Sequence, residues 1–321
     1  MKTNQAVANN ATTSGKTQFT KLQKLKRKYA NFDLYLMLVP MLLLVFLFSY
    51  RPLSGLLIAF KDYSPRIGIW DSPWVGFEYF IEYFNGAHFS RTVINTLVIS
   101  FGTLIFGFPA PIILALLLNE VSSVKFRRLV QTVSYIPHFV SMVVVCSMVT
   151  TFLSPTTGVV NSILNLLGKE SVFFLADVDL FVPIYLLVNI WKTTGYSSIV
   201  YIASLTSIPE DLYEAARIDG ANRWKQTWHV TLPGLLPTIV VMLLVQLGSI
   251  LEIGYEMIIL LYSPAVYESA DVITTYSYRT GILEGRYDYA TAIGLCNSFV
   301  SFIIVIAANM TSRRLTETSL W

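Results

Sequence analysis

From Leu34 to Phe48, Thr92 to Asn119, Leu129 to Leu153, Leu235 to Ile250 and Tyr289 to Ser312 the chain carries no Asp, Glu, Lys or Arg. A helix crosses the hydrocarbon core of a bilayer with roughly 20 apolar residues, and most of these tracts reach that length. Lipid offers no hydrogen bonds, so every backbone N–H and C=O inside it needs an internal partner, which leaves helices or closed barrels. Barrel strands alternate lipid-facing and lumen-facing residues over about 10 positions. These tracts are continuous and too long for that pattern. The sequence therefore specifies an all-α integral membrane protein.

Composition agrees. Of 321 residues 54% are hydrophobic and 13% charged, about half the charged share of an average soluble domain, which is about 25%. A net charge of +3 points to no nucleic-acid partner. Cys146 and Cys296 both lie in apolar tracts, where two cysteines make neither a disulfide framework nor a metal site. They read as small buried hydrophobes.

Six spans are expected, at about 34–60, 91–118 (broken by Pro109 and Pro111), 129–153, 180–205, 235–261 and 289–310. They form one domain, 34–314, between a polar N-terminal tail, 1–33, and a short C-terminal tail, 315–321. The first tail ends in Lys21, Lys24, Lys26, Arg27 and Lys28 and is expected to form a basic interfacial helix. A polar stretch of about thirty residues before the first apolar run, whose flank lacks a small-residue cleavage pattern, argues against a cleaved signal. The loop 61–90 carries Trp70, Trp74, Phe77, Tyr79, Phe80, Tyr83 and Phe84, aromatics suited to the membrane–water interface. Lys and Arg favour cytoplasmic loops. They concentrate in the N-terminal tail, at Lys125, Arg127 and Arg128, at Arg217, Arg223 and Lys225, and at Arg313 and Arg314. Both termini are expected in the cytoplasm.

The connection from Ser207 to Pro237 is long for a link between two spans, and its residues read as two short helices. Ser207 and Glu210 have capping-box spacing, Pro209 suits a first turn, and Asp211 complements the positive helix end. Gly220 can take the left-handed conformation that stops a helix. Asn222 can cap a second helix bearing Trp224 and Trp228 on one face, and Leu232-Pro233 is expected to end it and turn the chain toward the membrane. A plain connector is one reading. The other is a docking element that offers Tyr213, Ala215 and Ala216 to a groove.

Glu214-Ala215-Ala216, three residues, Gly220, nine residues, then Val230, Thr231, Leu232 and Pro233 resembles the EAA-x3-G-x9-I-x-L-P signature loop of ABC importer permeases, with Val230 in place of Ile. The wider string PEDLYEAARIDGA resembles the carbohydrate-uptake branch. The stretches 248–283 and 289–314, with RPLSGLLIAFKDYSP in the first span, are similar to importers of complex oligosaccharides, including uronate-containing ones such as alginate or pectin fragments. The resemblance implies a type I importer permease fold in a bacterial cell membrane, pairing with a second related permease subunit. Each permease would send its loop helix, the coupling helix (loop 207–233), into one of two ATPase subunits, and a solute-binding protein would deliver sugar from outside. ATP and Mg would bind the ATPases, with no cofactor on this chain. Glu214 would pair with a basic residue of the ATPase, Ala215 and Ala216 would pack in its cleft, Gly220 would set the turn, and Leu232 and Pro233 would support it.

Sugars are held by hydrogen bonds and flat aromatic faces, and polar groups within a bilayer face protein or water. The candidates are Asn189, Trp191, Lys192 and Tyr196 in the fourth span, Gln246, Glu252, Tyr255 and Glu256 in the fifth, and Asn297 and Ser301 in the sixth. Lys192 could meet a uronate carboxylate, snorkel to the interface, or pair with Glu252 or Glu256. The connection 262–288, with Tyr267, Glu268, Asp271, Tyr276, Tyr278, Arg279 and Arg286, is a candidate landing surface for the binding protein. An enzyme is not indicated: His88, His138 and His229 are scattered, and Gly15-Lys16-Thr17 lacks the first glycine of a phosphate loop because position 10 is Asn. A channel or ion-coupled carrier would have no use for a docking hairpin.

Overall fold

The computed structural model describes residues 32–316 apart from Ile253, with the side chains of 32–34, 315 and 316 left aside. The expected basic helix before residue 32 and the tail after 316 lie outside these residues. The chain divides at Leu56–Leu57 into two compact units. In the first, helix α1 (Phe32–Val45) runs on through a π turn, Phe46–Tyr50, and every side chain from Tyr35 to Ser54 is exposed. A helix this apolar with no buried face is one built for an apolar solvent.

In the second unit every described element is helical, apart from an isolated bridge between Lys61 and Trp74. The elements are α2 (Glu78–Asn85), α3 (Phe89–Gly102), α4 (Pro109–Glu120), α5 (Val124–Phe139), α6 (Met142–Phe152), α7 (Val159–Leu166) and α8 (Val178–Leu205). After these come α9 (Glu210–Ile218), α10 (Arg223–Gln226), α11 (Leu232–Gly248), α12 (Tyr255–Leu261), α13 (Ile273–Tyr278) and α14 (Tyr287–Thr316).

Among the described residues four helices are long and apolar enough to cross a membrane: Tyr35–Phe60, Phe89–Glu120, Arg223–Gly248 and Tyr287–Arg314. The pair α5 and α6 makes a fifth if a bend of 100° is allowed within one span. Six were expected. The difference is α8, whose 28 residues would cover about 42 Å but include Asn189, Lys192, Thr193, Thr194, Ser197 and Ser198. It packs against α4 and α5, so neighbours rather than lipid meet its polar groups.

Three of the expected spans differ in detail. Pro109 and Pro111 do not break the second tract. A π turn at Thr103–Gly107 precedes α4, and the Phe108 N–H reaches back to the Thr103 carbonyl at 3.1 Å. Proline lacks a backbone donor, and the wider turn carries the helix past it. The third tract is not one straight helix. Val140 and Ser141 are extended between α5 and α6, Pro137 sits in the last turn of α5, and the Ser141 hydroxyl caps α6 by accepting from the Val144 N–H at 3.4 Å. The fifth tract stops at Gly248, turns through Ser249–Glu252, and resumes as α12.

The core lies around α8. Ile99 of α3, Cys146 of α6, Phe181 and Tyr185 of α8, and Met257, Ile258 and Leu261 of α12 form one buried cluster. Ala115, Tyr201, Leu205 and Leu235 form a second at the other end of α8. Cys146 is buried and Cys296 half-buried, both free.

Candidate functional site

The signature residues fall on α9, the turn after it, and the start of α11. Glu210 and Asp211 occupy the first turn of α9 and Arg217 the last, each sign placed where the helix dipole favours it. The expected capping box does not form. Pro209 holds the N-cap position without a side-chain bond, and the Ser207 hydroxyl donates instead to the Ser204 carbonyl at 2.7 Å. That carbonyl belongs to the last turn of α8, so the side chain turns back to the preceding helix instead of forward to α9.

The stop signal forms as expected. Gly220 has φ 75°. Its N–H bonds the Arg217 carbonyl at 3.0 Å, and the Ala221 N–H bonds the Ala216 carbonyl at 2.9 Å, the paired bonds of a Schellman ending. No atom lies within 4 Å of where a Cβ would stand, so backbone conformation alone asks for glycine. Asn222 then accepts from the Lys225 N–H at 2.9 Å and starts α10. Trp224 and Trp228 meet edge to face, ring centroids 5.9 Å apart.

Leu232-Pro233 does not end the second helix. A π turn, Thr227–Thr231, joins α10 to α11, so the chain runs as one helix from Arg223 to Gly248. The Leu232 N–H bonds back to Thr227, and Pro233, which has no N–H to donate, follows directly on that wider turn. Two bonds close the hairpin: Tyr213 Oη to Thr231 Oγ1 at 3.1 Å, and Gln226 Nε2 donating to the Ala221 carbonyl at 2.7 Å. Tyr213 is thus turned inward, away from the surface expected for it. Gly234 lies against Ile208, and Arg223 pairs loosely with Glu120 at 3.6 Å.

The hairpin leaves Leu212, Glu214, Ala215, Ile218, Trp224, Trp228 and Pro233 exposed, together with the charged Glu210, Asp211, Arg217, Asp219, Arg223 and Lys225; Ala216 and Leu232 are half-buried. Ile218 is 87% exposed. Among the described residues Glu214 makes no ion pair. An unpaired carboxylate beside small and large apolar side chains is the composition of an interface.

The other candidates separate into distinct places. Asn189 and Gln246 line a 260 Å³ cavity with Thr103, Thr193, Ser197, Tyr201 and Ser249. Tyr255 and Asn297 line a larger cleft, 720 Å³, with Tyr63, Tyr278, Tyr287 and Thr274. Trp191 and Tyr196 line neither and are half-exposed, Tyr196 stacked on His138 at 3.9 Å. Glu252 and Glu256 are exposed, and the Ser301 hydroxyl is buried without a partner. Lys192 reaches neither the interface nor a glutamate. Its Nζ donates to the carbonyls of Pro137, His138 and Val140 at 3.2, 3.2 and 2.6 Å. Tyr63 and Tyr287 were not singled out by sequence. The clue was tyrosine density on both connections that meet at this cleft.

The connection 262–288 turns much of its chemistry inward. Asp271 is fully buried, paired with Arg91 at 2.9 Å and with Arg279 at 2.7 and 3.1 Å, and it accepts from Thr275 Oγ1 at 3.0 Å. Tyr276 is buried as well. Arg286 makes a two-pronged pair with Glu82 at 2.7 and 2.8 Å, which raises its guanidinium above its ordinary pKa. Glu268, Tyr278 and Tyr287 remain exposed.

Residues 107–317 match the family model described as binding-protein-dependent transport system inner membrane component. The Bacillus subtilis protein LplB is 43% identical over 288 residues, covering 90% of this chain and 91% of its own. The polygalacturonan/rhamnogalacturonan transport system permease YteP of the same organism is 40% identical over 300 residues, covering 94% and 92%. A chain in the crystal structure of a bacterial alginate ABC transporter, in complex with its alginate pentasaccharide-bound periplasmic protein, superposes with a TM-score of 0.85 at 47% identity. It covers 92% of this chain and 100% of that one. The hairpin, the apolar helices and these likenesses agree: the chain belongs to the binding-protein-dependent inner membrane component family, and is a permease subunit of an ABC importer rather than an enzyme.

Proposed function

We propose that this permease imports an oligosaccharide, with uronate-containing chains the first to test, by alternating access driven from the 207–233 hairpin. The observation that carries the reading is the hairpin's unpaired, exposed face of Glu214, Ala215, Ile218, Trp224 and Trp228, rigidly ended by Gly220 and continuous with a membrane helix. Such a face suits a cleft on an ATPase subunit, with Glu214 meeting a base, Ala215 and Ala216 allowing close approach, and Leu232 and Pro233 steadying the joint to α11. ATP and Mg belong to that subunit. The named transport roles of YteP and of the alginate transporter support the substrate class.

On this reading two ATPase subunits, a second permease and an extracytoplasmic binding protein complete the machine, and the chain crosses a bacterial membrane several times with both termini inside. The tyrosine-lined cleft at Tyr255 and Asn297 and the polar cavity at Asn189 and Gln246 are successive stations for the sugar, since both combine hydroxyl or amide groups with aromatic faces. The exposed Glu268 and Tyr278 remain a landing surface.

The test is reconstitution in vesicles. The two permeases with ATPases and binding protein should accumulate labelled oligogalacturonate or oligoalginate only when ATP is present. Omitting the ATPases should abolish uptake. Accumulation by this chain alone would refute the proposal.

A further inference from the structure

Where a helix ends, its last carbonyls lose their partners, and inside a protein such orphans are costly. The break between α5 and α6 creates this problem within the packed interior. The residues that answer it lie on α8, far away in sequence. Lys192 is 9% exposed and projects from the middle of α8, roughly 20 Å from either end of that helix. An ammonium has three donors and no acceptor. All three are placed on carbonyls of the break, at Pro137, His138 and Val140, at the negative end of α5.

Less than one turn on, Gly195 fits the same joint. A Cβ there would collide with the backbone carbonyl of Ser134. The glycine is what lets α8 come close enough for the ammonium to reach. Beyond the break, α6 packs on α12, and its Cys146 shares one buried cluster with Met257 and Ile258. The first residue of α12, Tyr255, lines the 720 Å³ cleft. The joint therefore sets where one wall of that cleft stands.

We propose that Lys192 is a positioning residue for transport: with Gly195 it holds the α5–α6 bend in place, and it is not a ligand for the sugar's carboxylate. The proposal rests on the reading of the chain as an oligosaccharide permease. Its donors are all engaged, and it lines neither cavity. A sugar-binding lysine would instead change affinity, and more for acidic chains than for neutral ones.

The experiment uses the complete transporter in nanodiscs, with Cys146 and Cys296 replaced and spin labels at Val133→Cys on α5 and Met148→Cys on α6, both exposed positions. The label–label distance reads the bend directly, whether or not any sugar is transported. Lys192→Met should broaden or shift this distance and lower the maximal uptake rate about 10-fold or more, a barrier change of about 1.4 kcal/mol. The half-saturating oligosaccharide concentration should stay within about two-fold, since uniform binding is untouched. Lys192→Arg should keep a wild-type distance and restore most of the rate. Gly195→Ala, which keeps the ammonium, should shift the same distance, and it stands in if Lys192→Met does not assemble. Unchanged distances in Lys192→Met, or in Gly195→Ala where that variant stands in, would overturn the proposal. So would a raised half-saturation confined to acidic oligosaccharides. Failure of wild type to take up sugar would instead count against the function reading and leave the distance result intact.

Discussion

The connection 262–288 and the loop 207–237 draw on the same residue types, aromatics beside acids and bases, and dispose of them oppositely. In the first, Asp271 is enclosed by Arg91, Arg279 and Thr275, and Arg279 lies 4.7 Å over the Tyr267 ring. In the second, Glu214 makes no ion pair among the described residues and both tryptophans stand in the open. Burial of a charge is tolerated only when it is paired and hydrogen-bonded, so the Asp271 cluster serves the fold. A surface that leaves apolar side chains and a carboxylate unmatched gains nothing by itself. Its value depends on a second molecule. Composition alone therefore does not tell a structural cluster from a docking face; the partners do.

The comparison can be broken by substitutions on each side, read as stability in detergent and as uptake. Asp271→Ala should have the largest effect on stability, about 3–5 kcal/mol, because it strands two guanidiniums; thermal or denaturant unfolding measures it. A loss under about 1 kcal/mol would mean the cluster is dispensable. Gly220→Ala should cost about 1–2 kcal/mol, the penalty for a left-handed residue with a Cβ. Uptake should fall as the hairpin loses its ending. Tyr213→Phe removes only the bond to Thr231 and should cost about 0.5–1.5 kcal/mol, with a parallel loosening seen as faster amide exchange over 210–231. Glu214→Gln should change stability least, within about 0.5 kcal/mol, while uptake and ATP hydrolysis become uncoupled. If Glu214→Gln unfolds the permease as readily as Asp271→Ala does, the contrast between the two regions is wrong.

Most of the hairpin was legible because its signals are local. Gly220, Asn222 and the Trp224–Trp228 face act within a few residues, and short-range geometry decides them. Ser207 was misread for a related reason: its hydroxyl, expected to accept from an N–H of α9, instead donates to the Ser204 carbonyl in the last turn of α8. Pro233 suggested a stop because a standard α-helix cannot absorb it at mid-length, whereas a π turn just before it can. The bend at Val140 and the placement of Lys192 were not legible. They depend on Gly195 meeting Ser134, a contact between residues 61 positions apart in the chain. The outer cleft was half-read for the same reason. Tyr255 and Asn297 were identified singly, but Tyr63 joins them only through the fold.

The uninterrupted helix from Arg223 to Gly248 has a mechanical consequence. Trp224 at one end stands on the hairpin face, and Gln246 near the other lines the polar cavity, about 33 Å along the axis. Treated as a rigid rod, the helix turns a tilt of about 5° at the tryptophan end into a sideways sweep of about 3 Å at Gln246. That is the width of a single hydroxyl contact. On the proposed function, a small rocking of the hairpin makes or releases one handhold on a sugar ring.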